Sequence, residues 1–136
     1  MEFNYIIEGG NFSQAGYASS DVKRVLKQLN VEVSVIKRIV VALYEAEVNV
    51  VAHAFEGLMN VKLNTDSIEV TVTDKGPGIP DIPLAMQEGY STASPEVREM
   101  GFGAGMGLPN MKKNCDSFDI KSKVNEGTVV RMITYF

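Results

Sequence analysis

An α+β fold is the expectation for this 136-residue chain. Three observations predict it. Helical spacing of apolar residues runs from 31 to 57, alternating stretches make a hairpin over 59–73, and a second hairpin closes the chain. Taken in order, "NYIIEGG" (4–10) reads as a short strand ended by two glycines. "SSDVKRVLKQLN" (19–30) reads as a helix capped by Ser19, Ser20 or Asp21, with Val22, Val25, Leu26 and Leu29 on one face. The 31–57 stretch is rich in β-branched residues. Its helix rests on the recurrence of Ile36, Ile39, Val40, Leu43, Val50 and Ala54, with Gly57 as the stop.

"MNVKLNTDSIEVTVTDKGPGIPD" (59–81) reads as strands at 59–64 and 68–73 around a turn at 65–67. Residues 82–106 show no clean period and hold prolines, glycines and small polar residues; a mobile segment with one short helix near 83–88 is expected. "LPNMKKNCDSF" (108–118) returns to helix, with Pro109 in its first turn. "DIKSKV" and "TVVRMITYF", joined by "NEG", form the closing hairpin. No repeat or linker divides the chain, so one domain over 1–136 is expected.

Composition narrows the function. The chain is 45% hydrophobic, which suffices for a core, and carries a net charge of −4. That balance argues against a general nucleic-acid or anionic-membrane binder, which needs a basic surface. The one cysteine, Cys115, allows no internal disulfide and fits a small buried apolar residue in a reducing cytoplasm. "MEFNYIIEGG" lacks the order of a signal peptide, and no apolar run approaches the ~20 residues of a membrane span. A cytoplasmic location is expected.

Three stretches carry chemistry. "GFGAGMGLPNMKKN" (101–114) places Gly101, Gly103, Gly105 and Gly107 at alternate positions before a helix. A hinge is the plain reading. The alternative is an anion site, since glycines let backbone N–H groups converge and a helix start adds about half a positive charge. Its spacing fits neither the P-loop nor the dinucleotide fingerprint. "DKGPGIPD" (74–81) is by itself a turn. Functionally, Asp74 can accept from an exocyclic amine such as adenine's, while Gly76 and Gly78 admit a flat base. In "EAEVNVVAHAF" (45–55), Glu45 and Asn49 share a helical face one turn apart, and His53 follows. Such a row is often a solvated edge. It also suits a magnesium-bound phosphate chain, with the amide oxygen on Mg²⁺ and the carboxylate as base.

The order of these stretches resembles the ATP-binding fold shared by histidine kinases, a heat-shock chaperone family, type II topoisomerases and MutL: the GHKL, or Bergerat-fold, superfamily. "EAEVNVVAHAF", "DKGPGIPD", "GAGMGLPNMKK" and "GTVVRM" look most like the small bacterial anti-sigma factor serine/threonine kinases. The resemblance implies a two-layer sandwich, a mixed sheet of about four or five strands covered on one face by three helices. It implies Glu45 as catalytic base and Asn49 as the magnesium ligand. Asp74 would receive the adenine amine, Gly76, Gly78 and Ile79 would border the base, and Thr128 would support that contact through water. Gly103, Ala104, Gly105, Met106, Gly107 and Leu108 would line the triphosphate beneath a lid at 82–104, with His53 beside the phosphates. Arg98, the one basic residue from 82 to 111, is the candidate for sensing the γ-phosphate.

The implied function is transfer of the γ-phosphate of Mg-ATP to a serine or threonine of an anti-anti-sigma (STAS-type) protein. The alternative is an ATP-dependent module that sequesters a sigma factor or other regulator without productive kinase activity. A hydrolytic cycle fits less well, as no second domain follows to be moved. No separate helical hairpin carries a phosphoacceptor histidine, so this is not a complete sensor kinase. A homodimer through the sheet or first helix is a further implication.

Overall fold

The computed structural model describes residues 1–90, 95 and 106–136. The strands are β1 (Glu2–Glu8), β2 (Glu56–Leu63), β3 (Ser67–Lys75), β4 (Ser117–Lys123) and β5 (Gly127–Tyr135). The helices are α1 (Tyr17–Gln28), α2 (Val33–His53), α3 (Ile82–Ala85) and α4 (Gly107–Lys113), with a 3₁₀ turn at Phe12–Gln14. The sheet order is β1-β2-β3-β5-β4.

Every strand pairing is antiparallel, where a mixed sheet was expected. The reason lies in the connection from β1 to β2. One crossover helix would deliver a parallel strand, but α1 and α2 together return the chain to the end it left. There the Gly9 N–H donates to the Phe55 carbonyl at 2.8 Å. Of the other three neighbours, β2–β3 and β4–β5 are hairpins, antiparallel by construction, and β5, returning from β4, runs antiparallel to β3 as well.

One face of the sheet carries the helices. Met59, Val61, Val70, Val72, Val130 and Met132 point inward. They meet Ile36, Ile39, Leu43 and Val50 of α2, Val22 and Leu26 of α1, and Leu108 and Met111 of α4. Most of the expected apolar faces are thus buried; Leu29, at the end of α1, is exposed, and Val40 and Ala54 are half-buried. Cys115 is also buried, and burial pushes its thiol pKa up, as a packing residue requires.

Helix boundaries depart from expectation for local reasons. The N-cap of α1 is Gly16, three residues before the Ser19–Asp21 group. Ser19 instead donates its hydroxyl to the Gly16 carbonyl, and Asp21 is engaged by Tyr5 and Arg24. α2 stops at His53 because Ala54 is extended. Gly57 belongs to β2, opposite Asp74, where an added Cβ would lie 2.9 Å from Val50. α4 ends at Lys113, short of Phe118: the Asp116 N–H donates to the Ile133 carbonyl, and its carboxylate accepts from the Tyr135 N–H.

Gly16 has no side chain to cap α1, and a neighbouring helix supplies the acceptor. The Glu47 carboxylate, 2% exposed, accepts from the N–H groups of Ala18 (3.0 Å) and Ser19 (3.1 Å). Two orphan donors are satisfied at once, and the carboxylate sits at the positive end of the helix. Glu47→Ala should destabilise the fold by roughly 2 kcal/mol or more, because buried amides lose their partner. Urea unfolding checks this, and Glu47→Gln, which keeps one acceptor oxygen, should fall between.

Candidate functional site

The expected site residues that are described sit on α2, on β3 and the loop after it, on β5 and at the start of α4. Glu45, Asn49 and His53 follow one another down the C-terminal half of α2, all half-buried. Eight residues at 1.5 Å each separate the ends of this row by about 12 Å. At the upper end α4 closes in. Glu45 Oε1 accepts from the Asn110 side-chain amide at 3.4 Å, and Glu45 Oε2 lies 3.5 Å from where a Cβ on Gly107 would stand. At the lower end the loop after β3 closes in: a Cβ on Gly76 would lie 3.0 Å from Ala54 Cα.

Asp74 anchors that lower end. Its Oδ1 accepts from the Thr128 backbone N–H at 3.1 Å, so these residues meet directly through the main chain. The Thr128 hydroxyl points elsewhere, to Ser122 Oγ at 2.8 Å. Ser122 also takes the Ile79 N–H at 2.7 Å and lies 3.1 Å from the Gly127 carbonyl. With Ile79 and Thr128 donating to it, Ser122 donates to Gly127 and is fully satisfied. Burial pushes the Asp74 carboxyl above its usual value, and the Thr128 N–H offsets part of that shift. Burial alone pushes the His53 imidazole below its ordinary value, which favours the neutral ring.

The glycines divide by role. Gly78 has φ +74°, and a Cβ there would lie 2.3 Å from the Lys123 carbonyl. Its freedom lets the 74–79 loop close against the β4–β5 turn, where the Asn125 N–H donates to the Pro77 carbonyl. Gly127 has φ +140°, and its Cβ would lie 2.0 Å from the Asp74 carbonyl oxygen. Gly76 remains beside the Asp74 carboxylate. Leu108 is core, with its side chain buried, while Met106 is half-buried at the N-cap of α4. Arg98, Gly103, Ala104 and Gly105 lie outside the described residues.

Sequence reasoning missed Asn110, Ser122 and Gly127. Asn110 stands one turn into α4, at a spacing from Gly107 that a helix brings to the same side. Ser122 carried no signal beyond its place in an alternating strand.

The donor set bears on a cation. No group of three or more His, Cys, Asp or Glu side chains able to hold a metal is present among the described residues. The Asn49 amide makes no hydrogen bond to a described residue, leaving its oxygen for a ligand. A carboxylate and an amide one turn apart suit a Mg²⁺ that draws its other ligands from phosphate oxygens and water. No helix among the described residues is long and apolar enough to cross a membrane.

Asp74→Asn separates a recognition role from a structural one. A carboxyl whose folded pKa is raised adds stability below its unfolded value, near 3.8, and loses it as pH rises through the folded value. At pH 7 the ionised form is therefore disfavoured by burial, and the asparagine variant should be at least as stable as wild type. A role for the carboxylate in receiving the adenine amine of ATP, as the resemblance implies, would nonetheless lower ATP affinity in the variant. Thermal unfolding and calorimetry measured together check both halves.

The family description "Histidine kinase-like ATPase domain" matches residues 12–134. An "Anti-sigma F factor" of Thermoanaerobacter pseudethanolicus is 33% identical over 99% of this chain and 92% of its own length. Another, of Pasteuria penetrans, is 33% identical over 98% of this chain and 87% of its own length. The "Serine/threonine-protein kinase RsbT" of Bacillus subtilis is 32% identical over 72% of this chain and 71% of its own length. The match over nearly the whole chain, with relatives a third identical along 98–99% of it, means that this chain belongs to the histidine kinase-like ATPase domain family.

Proposed function

We propose that this protein is a Mg-ATP-dependent serine/threonine kinase of the anti-sigma regulatory type. Its substrate would be a hydroxyl on an anti-anti-sigma (STAS-type) protein. The observation that carries the reading is one face of α2 with β3 beside its end: Glu45 against the start of α4, Asn49 one turn on, and Asp74 of β3 held by Thr128 near the C-terminal end of α2. The relatives named as anti-sigma F factor and as serine/threonine-protein kinase support a regulatory role around a sigma factor and transfer to a hydroxyl side chain.

In this reading the base lies at the Asp74 end. The exocyclic amine of adenine donates to the Asp74 carboxylate, whose Oδ1 is already oriented by Thr128. GTP carries a carbonyl in place of that amine and would face the acceptor-only carboxylate. The phosphates run along α2 toward α4, with Asn49 offering its amide oxygen to Mg²⁺. When bound, Mg²⁺ neutralises phosphate charge as it develops.

Glu45 takes the proton from the attacking hydroxyl. The hydroxyl oxygen then bonds to the γ-phosphorus as the bond from phosphorus to the β,γ-bridging oxygen breaks, and ADP leaves with that electron pair. The hydrogen bond from Asn110 holds the carboxylate at the α4 end of the site. A partner held by the ATP-bound form would be released by its own phosphorylation.

Glu45→Gln tests the base. It keeps side-chain size and removes the charge, so ATP should still bind while transfer to the partner falls by about 10²–10⁴-fold. Phosphotransfer and partner binding measured on one preparation check it. Unchanged transfer would remove Glu45 from the chemistry. ATP-dependent partner binding with no transfer by wild type would favour the sequestering module.

Asn49→Ala should weaken Mg-ATP binding far more than metal-free ADP binding, by calorimetry. Equal losses would make Asn49 structural.

A further inference from the structure

One hydroxyl joins the two sides of the site near Asp74. Ser122 of β4 stands opposite Thr128 of β5, and Asp74 of β3 lies on the other side of Thr128. The three make a polar row across neighbouring strands, at the end of the sheet face that carries the core. The next row of that face, Met59, Val72, Val130 and Ile120, is apolar.

Three groups reach Ser122 Oγ: the Ile79 N–H at 2.7 Å, the Thr128 hydroxyl at 2.8 Å and the Gly127 carbonyl at 3.1 Å. An amide N–H can only donate, and a carbonyl can only accept. Ser122 has one hydrogen, and the Gly127 carbonyl takes it. The Thr128 hydroxyl therefore spends its own hydrogen on Ser122, and Thr128 Oγ1 is left with lone pairs alone. The ionised Asp74 carboxylate beside it also only accepts, with Oδ1 already held by the Thr128 N–H. The side chains of this corner thus offer a ligand acceptors and no donor. What suits them is one atom carrying two hydrogens. An aromatic amine that gives its hydrogens to two oxygens, each about 2.9 Å away and about 120° apart, needs those oxygens about 5 Å from each other. Neighbouring strands stand about 4.8 Å apart.

We propose that Ser122 is the positioning residue that makes this corner selective for the exocyclic amine of adenine. By taking the Thr128 hydrogen it leaves Thr128 Oγ1 to accept one hydrogen of the amine while Asp74 accepts the other. By holding the Ile79 N–H it keeps the loop after β3 against β4. Without Ser122 the Thr128 hydroxyl turns freely and meets the amine as donor as readily as acceptor. The inference rests on the nucleotide reading above.

Calorimetry with Mg²⁺ compares ATP, purine riboside triphosphate, which lacks only the amine, and inorganic tripolyphosphate. Wild type should bind ATP tighter than the purine analogue. Ser122→Ala should narrow that ratio roughly tenfold, about one hydrogen bond, and leave tripolyphosphate binding unchanged. Ser122→Thr keeps a hydroxyl and should keep the ratio. Thr128→Val should narrow the ratio too, and adding Ser122→Ala to it should narrow it no further, because Ser122 acts through Thr128. Should Ser122→Ala fail to fold, Thr128→Val carries the comparison. In nucleotide-free protein the Ile79 amide should exchange faster in Ser122→Ala than in Ser122→Thr. Equal losses of ATP and analogue in Ser122→Ala would make Ser122 structural and overturn the proposal. A ratio unmoved by Ser122→Ala or by Thr128→Val, or unchanged exchange at Ile79, would do the same while leaving the nucleotide reading in place. Wild type that binds none of the three probes would remove that reading, and this inference with it.

Discussion

The buried Glu47 carboxylate is the interaction on which the rest of the architecture turns. It stands on α2 two residues from Glu45 and two from Asn49. At 100° per residue, a step of two points nearly the opposite way around the helix. One side of α2 therefore presents Glu45 to α4, with Asn49 one turn further on, while the other anchors the start of α1. A charged group this deeply buried is tolerable only with its lone pairs met. Two aligned amides at a helix start meet them. The bond also fixes how α2 is rotated over the sheet, because any roll that misaligned Glu47 would carry Glu45 away from Gly107 and Asn110.

Much of this was legible in the residues, and what was not has identifiable causes. The apolar faces of α1 and α2 and both hairpins were readable because burial imposes a period that composition cannot disguise. The ends of the elements were not. Ser19 and Asp21 look like caps by type, yet α1 is capped from α2, and no local pattern announces a cap that arrives from 28 residues away. Gly57 looks like a stop for a helix, but its lack of a side chain serves contact between β2 and Val50. The direction of strand pairing escaped too, since it depends on whether two helices or one fill the connection.

The site divides in the same way. The spacing of Glu45, Asn49 and His53 follows from helical geometry and needed no tertiary information. The meeting of Asp74 with Thr128, 54 positions apart, follows from β3 lying beside β5, which local patterns do not encode. Glycines were readable as positions where something comes close, but not as to what. At Gly78 and Gly127 the close neighbour is the protein's own backbone. The end of the site near Asp74 is thus shaped by main chain pressed on main chain. Side-chain substitution has little purchase on that shape.

The adjacency of β3 and β5 has a consequence for length. The seven paired residues from Ser67↔Tyr135 to Thr73↔Val129 seal the sheet without help from anything between them. The chain leaves at Lys75 and re-enters at Ser117, and its two mouths are stapled by Ile79 to Ser122 and by Asp116 to Ile133. Within that connection α4 is tied back by Leu108 and Met111 in the core. Doubling such an excursion adds only about 0.6 kcal/mol of closure entropy. Closure of the sheet is therefore indifferent to how long that connection is: the β3–β5 register is set by the strands themselves, and a change of length between them would leave it as it stands.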